Sequence, residues 1–336
     1  MNTSSISIVM PVWNAANSLD SAIQSILDQS FSDFEFILVD DGSTDGSPDI
    51  ARRWAQRDRR IRLTVTAHGG IVAALQLACA HARGRYIARM DADDIAHPER
   101  IARQLAIMES DSDVALCGTH VKMCGAQVGS GRRRYESWIN ALTTHEAIVR
   151  EIFVECPIAH PTFFMRRDAF DAVGGYRDAG WAEDYDLCMR FWRAGHCFAK
   201  VDAVLLDWHE RDNRHSMVHP RYDPAQFRAL KRHYLEVSYL GNLPAPRRFF
   251  QWGAGEVGKI WLREWKTYVP EGVIDINPRK IGTRIHDFHV LSPEGLPPPG
   301  QVFVTIAVGA PGAREEIRSY LNPRGYRERE DYLFVA

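Results

Sequence analysis

Short apolar runs alternate with helix-period segments over the first hundred residues, and this alternation limits the fold more than any other feature of the chain. Ser5–Val12 (SISIVMPV) reads as a strand buried on both faces. Leu19, Ala22, Ile23, Ile26 and Leu27 then recur at helical spacing. Phe34–Val39 is a second buried strand that stops at Asp40, Asp41 and Gly42. Ile50, Ala51, Trp54 and Ala55 mark another helix, IRLTVT a third strand, and Val72–Ala82 a further helix. The strand RYIARM runs directly into Asp91-Ala-Asp-Asp, and Pro98 suits the first turn of the helix that follows. Strands alternating with helices imply βαβ units and a mainly parallel sheet. Ligands of such sheets bind beyond the carboxyl ends of the strands, where both acidic clusters fall.

Past this region the pattern loosens. Gly125–Thr144, with Gly129, Gly131 and the basic run Arg132–Arg134, reads as an irregular solvated loop. A strand near Thr162–Met165, a Gly174-Gly175 turn and a helix from about Ala182 to Ala194 come next. GNLPAP (Gly241–Pro246) reads as a linker, which divides the chain into an α/β domain over 1–240 and a smaller one over 247–336. In the latter, Gly253, Gly255 and Gly258 form G-x-G-x-x-G after the strand RFFQW, and Asp275 ends the next strand where a ribose-binding acid is expected. That context describes a small Rossmann-like unit, with Pro297–Pro299 as a rigid turn inside it.

Composition closes off several alternatives. A net charge of −2 argues against a partner that is nucleic acid or strongly anionic membrane. No apolar run reaches the roughly 20 residues that cross a bilayer, and the N-terminus does not read as a signal peptide. Six cysteines without a CxxC pair suggest reduced thiols. The expectation is a cytoplasmic protein, with peripheral contact at the inner face of a membrane left open.

Three motif groups carry candidate chemistry. Pro11-Val12-Trp13-Asn14 and Val39-Asp40-Asp41-Gly42 place side chains at strand ends. There a carboxylate can accept hydrogen bonds from a nucleobase or a ribose, although an Asx turn at Gly42 would use the same residues. Asp91, Asp93 and Asp94 put three negative charges within four residues. They repel unless a cation such as magnesium or manganese neutralises them, and an N-cap is the plainer alternative. Glu183, Asp184 and Asp186 open a predicted helix, where the macrodipole favours acids and where a carboxylate could also act as a general base.

In this order the motifs SIVMPVWNAANSL, FILVDDGSTDGS, ARGRYIARMDADDIAHPERIARQ, IAHPTFFMRR, VGGYR and AEDYDLCMRFWRAG resemble the family 2 glycosyltransferases over residues 5 to about 220. The resemblance implies a GT-A fold and an inverting transfer of sugar from a nucleotide-diphosphate donor to an acceptor hydroxyl. The expected setting is bacterial-type cell-surface polysaccharide or glycan assembly. It implies Pro11, Val12, Asn14, Asp40, Asp41 and Asp91 at the nucleotide, with Asp91, Asp93 and His209 around a divalent Mn or Mg ion. Asp184 is the implied base, with Glu183 beside it. A UDP- or dTDP-sugar and a glycan or lipid-linked glycan are the implied partners. The chain departs from the family pattern at Cys188, where Trp is common, and at His209 in LLDWHERDNRHS, where Arg is common. His209, Arg211 and His215 are candidates to reach the diphosphate. The competing reading is an NAD(P)- or SAM-dependent sugar-modifying enzyme centred on the C-terminal glycines.

Overall fold

The computed structural model describes residues 5–126, 128–210 and 219–336. Two compact units emerge, one formed by residues 1–149 and 156–222 and the other by 150–155 and 223–336.

In the larger unit β1 (Ile6–Val12), α1 (Leu19–Leu27), β2 (Phe34–Asp41), α2 (Ser47–Arg57), β3 (Ile61–Thr66), α3 (Ile71–His81) and β4 (Tyr86–Arg89) follow the expected alternation. They continue into β5 (Ile95–Ala96), α4 (Arg100–Ser110), β6 (Val114–Cys124), α5 (Ser130–Ala141) and α6 (His145–Glu151), whose last two residues belong to the second unit. The unit closes with β7 (Phe164–Arg166), α7 (Arg167–Ala172), α8 (Glu183–Arg193) and β8 (Cys197–His209). One mixed sheet has the order β3-β2-β1-β4-β7-β6-β8-β5. All seven residues of β1 are buried, as a strand covered on both faces requires. It pairs in parallel with β2 on one side and β4 on the other, so strand order reverses at β1 and a crevice opens beyond its carboxyl end. Antiparallel pairing of β5 with β8 sets Ile95 beside Asp207 and carries the end of β8 back to the acidic segment.

The loop expected over Gly125–Thr144 is corrected, because Ser130–Ala141 is helical. Ile139 of this helix is buried, and Tyr135 and Trp138 pack against the core beside it. Side-chain bonds to β6 hold it in place. Asn140 accepts from the Val121 N–H and donates to the Val121 carbonyl, and Glu136 accepts from the Met123 N–H.

The second unit begins earlier than the linker suggested. It includes α9 (Pro224–Ser238), then β9 (Arg248–Trp252), α10 (Glu256–Glu264), β10 (Val273–Ile274), β11 (Arg284–Ile285), β12 (Phe288–Leu291), β13 (Val302–Ile306), α11 (Ala313–Leu321) and β14 (Tyr332–Phe334). The sheet order is β11-β12-β10-β9-β13-β14, parallel except for β11. Lys231 of α9 donates to the carbonyls of Val154 and Val335, and Glu151 accepts from Arg314 and Arg318. These bonds tie α9 and residues 150–155 into the unit. Among the described residues, no helix is long and apolar enough to cross a membrane.

Candidate active site

The loops leaving β1 and β2 form one hydrogen-bonded lattice. Asn14 takes φ 49°, a left-handed conformation that Asn tolerates better than most residues. Its N–H donates to the Ser43 hydroxyl (2.9 Å) and its Oδ1 accepts from the Thr44 N–H (2.8 Å). The N–H groups of Ala15 and Ala16 donate to Ser47 Oγ (2.8 Å) and Asp45 Oδ2 (3.0 Å). Asn14 therefore shapes the loop that frames the strand ends.

Asp40 and Asp41, though adjacent, meet different surroundings. Asp41 accepts the N–H groups of Gly69 (2.8 Å) and Gly70 (2.9 Å) and lies 2.9 Å from His68 Nδ1, so its carboxylate ties down the loop before α3. His68 in turn stacks under the half-exposed indole of Trp13, with centroids 4.8 Å apart. Asp40 is fully buried, paired in register with Val12, and neither of its carboxylate oxygens has a hydrogen-bond partner among the described residues. A buried acceptor left in this state costs about 1–3 kcal/mol unless something donates to it. Pro11 and Val12, both buried, end the neighbouring strand.

Beyond β4, ligand-capable oxygens of Asp91, Asp93 and Asp94 lie within 4.8 Å of one another. Arg89, buried inside the strand, forks onto the Asp91 carboxylate. Burial disfavours the Arg89 charge, but Asp91, Tyr176 and Glu183 outweigh it and its pKa rises. Arg100 is buried below, donating to the carbonyls of Arg89 (2.7 Å) and Pro161 (3.0 Å); burial pulls its pKa down to about 10. Asp94 Oδ1 accepts the His209 N–H (2.8 Å), which sets the end of β8 against the acidic cluster. His209 Nδ1 is buried and has no hydrogen-bond partner among the described residues. Three clustered carboxylates are a donor set that suits a hard divalent ion of the magnesium or manganese kind, whereas His209 is tied to them through its backbone N–H. Arg211 and His215 lie outside the described residues.

The third motif opens α8, with Glu183, Asp184 and Asp186 in its first turn. Glu183 is buried and accepts from the Tyr222 hydroxyl (2.8 Å), with Arg221 at 3.6 Å and His160 at 3.7 Å. Burial raises its pKa, against the pull of Tyr222, Arg221 and Arg89. Asp186, also buried, accepts from Trp181 Nε1 (3.1 Å) and Arg190 Nε (2.7 Å). Asp184 is half-buried, and its Oδ1 accepts the Tyr185 N–H (2.8 Å). Of the three, it is the one with a solvent-accessible surface on which an acceptor could arrive.

Sequence reasoning brought forward the acids and missed their partners. Arg89 influences both Asp91 and Glu183 and so links two motifs distant in sequence. An arginine within the apolar strand YIAR was the signal for it. Tyr222, Arg221 and His160 carried no comparable signal.

Comparisons with known proteins agree with this geometry. Residues 7–174 match the family model described as Glycosyl transferase family 2. The chain is similar to EpsE of Bacillus subtilis, named as a glycosyltransferase, at 32% identity over 56% of this chain and 67% of the relative. An uncharacterized glycosyltransferase of Haemophilus influenzae is 28% identical over 68% of this chain and 72% of its own length. Among solved structures, S. aureus TarS 1-349 in complex with UDP-GlcNAc aligns with a TM-score of 0.53 at 18% identity, over 63% of this chain and 60% of that one. The mannosyltransferase PcManGT from Pyrobaculum calidifontis, in complex with GDP-Man and Mn2+, gives 0.52 at 20%, over 63% and 59%. The chain thus spans about three fifths of the length of these solved neighbours, and shares their α/β fold with a large mixed sheet flanked by helices.

Proposed function

The chain belongs to glycosyl transferase family 2, and on that premise we propose that it transfers a sugar, with inversion, from a nucleoside-diphosphate donor to an acceptor hydroxyl. The observation that carries this reading is the clustering of Asp91, Asp93 and Asp94 just beyond β4, with the buried Arg89 paired to Asp91, beside the switch point of the sheet. The solved neighbours bind UDP-GlcNAc and GDP-Man. A UDP- or dTDP-sugar is the donor class we expect here, and a glycan or lipid-linked glycan the acceptor. Surface polysaccharide or glycan assembly is the setting we expect for this transfer.

Each residue then has a part. Asp40 accepts from the nucleobase or ribose, which satisfies its unpartnered oxygens. Pro11 and Val12 wall the base, and Asn14 holds the loop over it. Asp41 acts by fixing the loop before α3. Asp91, oriented by Arg89, accepts from the ribose. Asp93 and Asp94, with Asp91 and His209 nearby, would hold a divalent ion. When bound, such an ion supplies counter-charge to the leaving diphosphate. Asp184 takes the proton from the acceptor hydroxyl as its oxygen attacks the anomeric carbon opposite the diphosphate. The C–O bond to the diphosphate breaks with its electron pair, and one displacement inverts the centre. Glu183 is a positioning residue, since its carboxyl is buried against Tyr222 and stabilises the head of α8.

The test is a manganese titration of wild type and Asp93→Ala with UDP present, followed by NMR of the product anomer. Equal manganese affinity in the two proteins would move the ion elsewhere, and a retained anomeric configuration would end the single-displacement mechanism.

A further inference from the structure

A cavity of about 700 Å3 lies at the carboxyl edge of the smaller sheet, and the transfer proposed above makes no use of it. Its volume is that of a small-molecule site. Strand order reverses at β9, which has β10 on one side and β13 on the other. The residues just beyond these strands, Gly253, Asp275 and Ala307, line the cavity, at the place where open parallel sheets bind ligands.

The three glycines of the β9–α10 turn have different causes. Gly253 adopts φ +112°, and a Cβ there would lie 2.5 Å from the Ala307 carbonyl oxygen. A Cβ on Gly258 would lie 1.9 Å from the Gly253 carbonyl oxygen. The fold itself demands both. Gly255 has φ −83° and ψ −168°, open to any residue, and a Cβ there would meet nothing within 4 Å. Neither backbone strain nor crowding within the protein calls for glycine at 255. The free space beside it belongs to the cavity wall, and a ligand lying against the backbone would give the missing side chain a purpose.

The polar groups narrow the class of ligand. Asp275 is buried; its Oδ2 accepts from the Ala254 N–H (2.9 Å) and Lys280 Nζ (3.1 Å), and its Oδ1 from the Asn277 N–H (2.8 Å). A carboxylate oxygen can take two donors, so Oδ1 keeps capacity for one more, such as a sugar hydroxyl. The next residue, Ile276, is 67% exposed, an unusual state for a large apolar side chain on a cavity wall and one suited to the face of a base. Lys280 is the one basic residue among the lining residues, against Glu256, Asp275, Glu294 and Glu316. That balance repels a diphosphate and accepts a neutral or cationic group.

We infer that this cavity binds a ribonucleoside whose 5′ substituent is neutral or cationic. The 2′,3′-diol donates to Asp275, the base rests on Ile276, and the 5′ end passes over Gly255. The site is separate from the donor site, and the proposal stands or falls independently of the transfer reaction.

Calorimetry on the full chain tests it, with UDP and manganese in excess to fill the donor site. The probes are adenosine, uridine, S-adenosylmethionine and NAD, with the 2′,3′-dideoxy forms of the two nucleosides. We expect at least one of the first three to bind, a dideoxy form to bind at least tenfold more weakly than its parent, and Gly255→Val to abolish binding. Because the new side chain enters open space, Gly255→Val should melt with wild type. Asp275→Asn should weaken binding at least tenfold. Absence of binding by the first three probes at millimolar concentration overturns the proposal. So does binding that survives Gly255→Val, or a preference for NAD over every nucleoside.

Discussion

Asp40 offers a test in which two readouts must move in opposite directions. Its carboxylate is fully buried at the end of β2, with neither oxygen bonded among the described residues. Replacing it with Asn keeps the shape and removes the charge. A buried neutral amide without partners costs less than a buried carboxylate without partners. The free protein should therefore gain about 1–2 kcal/mol of stability, within the 1–3 kcal/mol assigned to an unsatisfied buried group. For a chain of 336 residues that corresponds to roughly 1.5–3 °C in melting temperature. A bond to a charged acceptor contributes more than a neutral one, by about 1–2 kcal/mol, so UDP affinity should fall roughly five- to thirtyfold. Differential scanning fluorimetry measures the first quantity and calorimetry with UDP the second. If Asp40→Asn melts below wild type and binds UDP within a factor of two, the oxygens are satisfied by the fold and do not await a nucleotide.

Other substitutions examine the remaining assignments. Asp184→Asn should leave UDP and manganese affinity close to wild type while kcat falls by at least about a hundredfold; normal turnover in it with a dead Asp186→Asn would transfer the role of base by two residues. Lys200 is buried, donates to the Ile139 and Pro157 carbonyls, and has its pKa pushed down to about 7 from 10.5 by burial. Between those two values the unfolded chain binds the extra proton, so stability should rise with pH across this window. Denaturant titrations at pH 7 and pH 10 should show a smaller rise in Lys200→Met than in wild type, and parallel rises would remove Lys200 from the account. Gly258→Ala drives a Cβ into the Gly253 carbonyl and should lower the stability of the C-terminal unit by more than about 2 kcal/mol, whereas Gly255→Ala should be nearly neutral; equal melting of the two variants would contradict the packing described.

Where local physics decides structure, the sequence was readable. The buried strands Ile6–Val12 and Phe34–Asp41 and the acids at their ends follow from apolar runs that stop abruptly. Helix α8 begins within a residue of its expected start because three acids sit at its head and Arg190 and Arg193 near its end. Helix α5 was hidden by its flanking glycines and basic run, although Tyr135, Trp138 and Ile139 pack on the core and Asn140 and Glu136 bond to β6. The division of labour between Asp40 and Asp41 was equally invisible. Both are acids at one strand end, and only the loop before α3, far along the chain, determines which is engaged. Residues 224–238 fall before the GNLPAP linker in the sequence, and long-range bonds such as those of Lys231 to the carbonyls of Val154 and Val335 attach them to the second unit.

The lattice between the loops after β1 and β2 bears on how a donor would be chosen. Asn14, Ser43, Thr44, Asp45 and Ser47 are bonded to one another or to the adjoining backbone before any nucleotide arrives. Preorganisation of this kind removes much of the ordering entropy from the binding step. If the nucleotide half of a donor sits here as proposed, its affinity would be set by a rigid mould that tolerates little change, and altering Asn14 would disturb both loops together. Discrimination between sugars must accordingly reside elsewhere, in segments free to vary without unlocking that mould.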